Sequence, residues 1–191
     1  MSKHSTRGQI VEAADELFYS QGFEATSFAD IAGAVQISRG NFYYHFKSKD
    51  DILDAVIDRR IAKTRELLDR WEADGDTPET RIGCFILILV TNQSKIMAHG
   101  CPVGTLAIEL TKLSHNAQPR ANELFTLFND WLTGQFRALG RKNDAEELAL
   151  HLVARSQGVA VLANAFKDEN FVRREVDAMT DWVRTHIQAA N

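Results

Sequence analysis

Cysteine is scarce in this 191-residue chain: Cys84 and Cys101 are its two thiols. They make no disulfide framework and do not have zinc-finger spacing, which fits a reducing cytoplasm. Long apolar runs are missing as well. The longest, Cys84–Val90, falls far short of the ~20 residues a bilayer span needs, so no membrane role is expected. The N-terminus lacks the apolar core of a signal peptide. An excess of positive charge is also absent. The formal net charge is −4, and in the first fifty residues Lys3, Arg7, Arg39, Lys47 and Lys49 are outnumbered by Glu12, Asp15, Glu16, Glu24, Asp30 and Asp50. Nucleic-acid binding therefore cannot rest on bulk charge. His4, His45, His99, His115, His151 and His186 are scattered without HxxxH spacing, and neither a metal nor another cofactor is expected.

With only 3 prolines and long stretches of Ala, Leu, Glu, Arg and Asp, the chain favours helix. Helical periodicity recurs along it without strand alternation, which predicts an all-α fold of about nine helices. Ile10, Ala13, Ala14, Leu17 and Phe18 form one stripe, stopped at Gly22. Ser27 reads as an N-cap and Asp30 as an acid in the first turn of a short second helix carrying Phe28, Ile31 and Ala32. Ser38 caps a third, held inward by Phe42 and Phe46. A long helix over Lys49–Ala73 follows, then one from Thr77-Pro78 to about Ala98. His99-Gly100-Cys101-Pro102 is a stop and restart. Further helices are expected at Pro102–Leu113, Pro119–Leu139, Asp144–Phe166 and Phe171–Ala190. The seam near Lys47–Asp51 divides residues 1–48 from residues 49–191.

Two short helices separated by Ala34–Ile37 have the helix-turn-helix format, in which the second helix enters the major groove. Ser38–Lys49 supplies Arg39, Lys47 and Lys49 without an acid. Arg39 can fork onto guanine, Asn41 can pair with adenine, and Gly40 lets backbones approach. Thr26, Ser27, Tyr43, Tyr44, His45 and Lys49 can bond phosphates.

The segment TSFADIAGAVQISRGNFYYHFKSKDDIL, Thr26–Leu53, resembles the signature of the TetR family of bacterial repressors, and Ile10–Ser27 resembles that family's first helix. The resemblance implies an all-helical homodimer whose N-terminal heads, 1–48, bind a palindromic operator. The helical remainder, 49–191, would hold a small-molecule inducer and the dimer contact. Carried over by position, base contacts fall on Arg39, Gly40 and Asn41, and phosphate contacts on Thr26, Ser27, Tyr43, Tyr44, His45 and Lys49. Gln36 departs from the family, which often has Gly in the turn. If φ is positive there, Gln costs on the order of 1 kcal/mol.

In the C-terminal half, Phe85, Leu89, Phe128 and Trp131 are candidates to line an apolar ligand pocket, although most such residues simply build core. Small residues at Ala154, Gly158, Ala160, Ala163 and Ala165 lie among Leu148, Leu152, Val159, Val161, Leu162 and Phe166. With Phe171, Val172, Val176, Met179, Trp182, Val183 and Ile187 they are read either as intrachain core or as a dimer interface of the last two helices; the resemblance favours the dimer. Cys101, at a helix N-terminus with His99 nearby, is a candidate redox or electrophile sensor. Gly100–Leu110 resembles a Gly-Cys subgroup of the family that includes the N-ethylmaleimide reductase repressor. Cys84 reads as a core thiol. A cysteine-dependent helical enzyme acting on electrophilic small molecules is the competing function, with Cys101 as nucleophile.

Overall fold

The computed structural model describes residues 5–188, excepting the side chains of Arg39 and Gln188. Among these residues the fold is helical without strands: α1 (Thr6–Gln21), α2 (Phe28–Val35), α3 (Arg39–His45), α4 (Lys49–Asp74), α5 (Pro78–Thr91), α6 (Gln93–His99), α7 (Pro102–Lys112), α8 (Gln118–Ala138), α9 (Ala145–Phe166) and α10 (Glu169–Gln188). No single helix among them is long and apolar enough to cross a membrane.

There is one helix more than the periodicity indicated, because the helix expected to reach Ala98 breaks at Asn92. The Thr91 hydroxyl donates to Leu87 O at 3.0 Å and Asn92 Nδ2 to Ile88 O at 3.3 Å. Side chains bonding back to carbonyls in this way compete with the helical ladder. Asn92 then ends α5 and starts α6, accepting from Ile96 N at 2.9 Å. The expected stop at Gly100 is present, with a left-handed φ of 82° that favours glycine. The last helix was expected to reach Ala190, which lies outside the described residues; α10 begins two positions earlier than expected because Asp168 Oδ1 accepts from Asn170 N and Phe171 N.

The chain packs as two compact units. One runs to Lys63 and takes in Thr105–Asn122; the other comprises Thr64–Gly104 and the chain from Glu123 onward. In the first, Ile10, Val11, Ala14 and Phe18 of α1 are buried, as are Ile31, Phe42, Phe46 and the α4 residues Ile52, Leu53, Val56 and Ile57. Burial of each large side chain contributes about 1.5–3 kcal/mol. Arg59–Glu12 (2.6 Å) and Arg60–Asp15 (2.7 Å) tie α4 to α1.

In the second unit, Ile82, Phe85, Ile86 and Leu89 of α5 share a core with Leu132 and Phe136 of α8, Leu152 and Val159 of α9, and Val172, Val176, Met179 and Val183 of α10. Of the residues expected to serve either core or self-contact, Val172, Val176, Met179 and Val183, with Leu148, Leu152 and Val159, are buried within a single chain, while Trp182 and Ile187 are partly buried. Large apolar side chains left exposed in this unit are Leu87 of α5 and, on the other face of α9, Leu150, Val161, Leu162 and Phe166, the last 70% exposed.

Candidate nucleic-acid interface

The head is built from its caps outward. At the start of α2, Ser27 Oγ accepts from Asp30 N at 3.2 Å, while Asp30 Oδ2 accepts from Ser27 N at 2.8 Å. This reciprocal box satisfies two orphan donors. The Ser27 hydroxyl also donates to Asp30 Oδ2 at 2.6 Å, and these bonds hold the Asp30 carboxyl below its ordinary range. At the end of α2, Gln36 takes φ 57°, ψ 41°. Its N–H donates to Gly33 O and that of Ile37 to Ala32 O, the paired bonds of a helix stop. The turn thus does demand a left-handed residue, and Gln carries the conformational cost.

Ser38 Oγ then accepts from Asn41 N at 3.3 Å to start α3. Phe42 and Phe46, buried, pin α3 from behind; the Phe42 ring meets Phe28 edge-on at 5.2 Å. Asn41, Tyr43 and Tyr44 are left on the solvent face, and His45 is half-buried. Tyr44 is 78% exposed. Gly40 is exposed, and a Cβ built on it would meet nothing within 4 Å, so the fold itself does not require glycine there. The side chain of Arg39 lies outside the described residues.

Two residues expected at phosphates are spent inside the head. Thr26 is 1% exposed, and its hydroxyl donates to Gly22 O at 2.7 Å, because the α1–α2 turn needs that carbonyl satisfied. Lys49 Nζ donates to the carbonyls of Phe23 (3.0 Å), Glu24 (3.2 Å) and Thr26 (3.2 Å) and lies 4.4 Å from the Phe23 ring centroid. It clamps the turn that leads into α2.

A partner of this clamp was not visible in the sequence. Glu109, on α7, accepts from Phe23 N and Glu24 N, both at 2.9 Å. Gly22, at φ 97°, lies so close that a Cβ on it would stand 3.0 Å from Glu109 Oε1. An acid, a lysine and a glycine from three distant segments thus fix one turn. No local pattern marks Glu109, since its partners lie 86 and 85 positions away. Nearby, His115 Nδ1 accepts from Ala117 N at 3.1 Å, which leaves Nε2 facing Asp50 Oδ1 at 3.4 Å.

In the second unit the pocket candidates come together. Trp71 lies 5.6 Å from Trp131 and 6.4 Å from Phe128, and Phe128 lies 5.6 Å from the buried Phe85. Leu89 is buried in the same core. Trp71 was not among the expected residues. Glu72 anchors the cluster, accepting from Trp131 Nε1 at 3.1 Å and Gln135 Nε2 at 2.8 Å, and pairing with Arg81 at 2.5 Å. Buried Gln93 Nε2 and Gln135 Oε1 have no hydrogen-bond partner among the described residues. Cys101 is half-buried immediately before α7 and packs against this unit's core, His99 is exposed, and Cys101 and Cys84 are not joined by a disulfide.

A short helix presented on a buried aromatic base, preceded by a tight left-handed turn and a capped helix, defines a helix-turn-helix DNA-binding protein. Residues 10–56 match the model of the bacterial regulatory proteins of the TetR family, and residues 90–177 match the C-terminal domain of LmrA/YxaF-like transcriptional regulators. The chain is 28% identical to an HTH-type transcriptional regulator in the lacX 3′ region of Lactococcus lactis, covering 92% of this chain and 91% of that protein. It is 25% identical to the HTH-type transcriptional repressor DhaR of a Mycobacterium species, covering 69% of this chain and 64% of the repressor. A TetR transcriptional regulator from Legionella pneumophila superposes with a TM-score of 0.85 at 27% identity, over 95% of this chain and 98% of that one. The chain belongs to the TetR family and is a DNA-binding transcriptional regulator. The competing reading as a cysteine-dependent enzyme finds no support, since the family and these relatives are regulators.

Proposed function

We propose that the chain is a repressor. Two copies bind a palindromic operator through their heads, residues 1–48, and residues 49–191 sense an inducer and hold the dimer. The observation that carries this reading is the solvent face of α3, where Gly40, Asn41, Tyr43 and Tyr44 stand outward from a helix pinned by buried Phe42 and Phe46. Arg39, Gly40 and Asn41 read bases; Ser27, Tyr43, Tyr44 and His45 position phosphates. Thr26 and Lys49 act one step back, by fixing the turn before α2. The site of action is the cytoplasm, where bacterial operator DNA lies.

The inducer is a small, largely apolar molecule taken up beside Phe85, Leu89, Phe128 and Trp131. Gln93 and Gln135 support this assignment. An unpaired buried polar atom costs about 1–3 kcal/mol, and an amide donor and acceptor left open in one unit suit a ligand with one polar end. An inducer must favour the arrangement that releases DNA, and DNA then disfavours inducer by the same factor.

Modification of Cys101 is a second route of release, favoured by its position. Cys101 immediately precedes α7, and α7 also carries Glu109, which accepts from the turn before α2. Addition of the Cys101 thiolate to N-ethylmaleimide forms a C–S bond, and the alkene's other carbon takes up a proton. Operator release by N-ethylmaleimide should survive in Cys84→Ser and disappear in Cys101→Ser. Release retained in Cys101→Ser removes this route.

Binding of the full-length protein to genomic DNA fragments tests the main reading. Recovery of palindromes whose affinity falls steeply with salt is expected, since phosphate neutralisation releases counterions. Equal, sequence-independent binding to all fragments would overturn it.

A further inference from the structure

A cleft of about 540 Å³ opens between the C-terminal half of α8 and the first turns of α9. Asn129, Asp130, Thr133 and Arg137 line it from α8, opposite Glu146, Glu147 and Leu150 from α9. It is separate from the aromatic cluster, because Phe128, Trp131 and Gln135 lie on another face of α8. We infer that this cleft binds a linear organic polycation of the polyamine class.

The inference starts from a buried hydroxyl. Thr133 is 5% exposed, and among the described residues its Oγ1 has no hydrogen-bond partner; neither has Asn129 Oδ1, one helical turn earlier on the same wall. Buried polar atoms are almost always paired. Two orphans in register on a wall of an open cleft are acceptors waiting for a donor from outside the chain. The charges select the sign of that donor. Arg137 is already paired with Glu146 at 2.7 Å. Asp130 and Glu147 make no ion pair among the described residues, so the cleft keeps two uncompensated carboxylates, one on each wall. The complement is a cation rich in N–H groups.

A metal ion does not fit this donor set. Among the described residues no three acids, histidines or cysteines converge closely enough to hold one. Separated carboxylates suit separated ammonium groups, and the methylenes between those groups can lie against Leu150. The volume falls within the range of about 300–1,000 Å³ usual for small-molecule sites.

Calorimetric titration of spermidine into the full-length protein tests this. Saturable, stoichiometric binding is expected, not displaced by an equal concentration of Mg²⁺. Asp130→Asn and Glu147→Gln should each raise the Kd about tenfold, as should Thr133→Val. Thr133→Val removes an unpaired buried hydroxyl without changing side-chain shape, so that variant should fold at least as stably as the parent. Asp177→Asn, an exposed acid on α10 away from the cleft, should leave the Kd unchanged. Absence of saturable binding overturns the inference. So does equal weakening by Asp177→Asn, unchanged affinity in Thr133→Val, or full displacement by Mg²⁺.

Discussion

At Gly40, residue chemistry separates what folding needs from what DNA binding needs. Its place inside α3 costs stability, since glycine in a helix is about 0.5–1 kcal/mol worse than alanine. Among the described residues, chain neighbours and the helix's own backbone aside, nothing lies within 4 Å of an added Cβ. Gly40→Ala should therefore raise the thermal midpoint slightly while, on the proposed contact of Gly40 with DNA, lowering operator affinity at least tenfold. Paired melting and anisotropy measurements check it; unchanged operator affinity would show that the α3 backbone does not approach DNA there. Much at this scale was legible in the sequence. Ser27 and Ser38 were readable as caps, Phe42 and Phe46 as anchors, and Gln36 as a conflict with a left-handed turn. Thr26 and Lys49 were not readable as internal. A hydroxyl or ammonium beside a groove-reading helix looks the same in sequence whether it faces phosphate or a carbonyl, and only the fold of the Gly22–Thr26 turn decides.

At the scale of elements, the head depends on carboxylates that cap helices. Asp30 closes the box at α2. Asp51 does so at α4, accepting from Ser48 N at 3.0 Å and Lys47 N at 3.1 Å while Ser48 Oγ accepts from Asp51 N. Both are held below the ordinary carboxyl range, Asp30 first by the Ser27 side chain and Asp51 first by the Ser48 side chain. A depressed folded value means that the unfolded chain binds protons first as pH falls. Their contribution is whole above the unfolded value of about 3.9 and is lost as pH drops through the lower folded values. Head helicity followed by circular dichroism should be flat from neutrality to about pH 5 and fall below pH 4. Asp30→Asn and Asp51→Asn together should blunt that fall; an unaltered acid limb in the double variant would show that other groups govern it.

The Glu109 clamp belongs to the same scale. Its carboxylate takes two backbone N–H groups of the turn before α2, and bonds to charged acceptors are worth about 1.5–3 kcal/mol. Glu109→Gln sets an amide NH₂ against one of those donors. It should weaken operator binding and increase hydrogen exchange at Phe23 and Glu24, with α3 unchanged in helicity. Unaltered exchange at those two amides would refute the clamp. The helix boundaries around it were readable from Gly100, Pro102 and the Pro78 start. The break at Asn92 was not, because Thr91 and Asn92 end α5 through side-chain bonds that hydrophobic periodicity does not register.

For the whole molecule, the proposed reading of a palindromic operator calls for a symmetric pair and hence for a surface that holds two copies together. Val172, Val176, Met179 and Val183 of α10 are taken up in the intrachain core, and the outer face of α10 carries Arg173, Arg174, Asp177, Asp181 and Arg184. The outer face of α9 is different in kind. Val161, Leu162 and Phe166 are exposed there, with Ala154, Gly158 and Ala165 beside them. Small residues let a second helix approach closely, and the large ones supply apolar area at about 25 cal/mol per Å² removed from water. A self-contact centred on α9 and rimmed by the mixed charges of α10 has the apolar centre and polar border of stable interfaces. Val161→Lys with Phe166→Lys places two cations in that centre. The variant should sediment as a monomer with helicity and thermal midpoint near those of a folded chain, because both side chains already face solvent in one subunit. Operator affinity should then collapse to that of a single half-site, a loss of at least a hundredfold given the effective concentration that linkage supplies. A variant that remains dimeric would move the contact off this face. A monomer that keeps full operator affinity would break the link between dimerisation and palindrome reading.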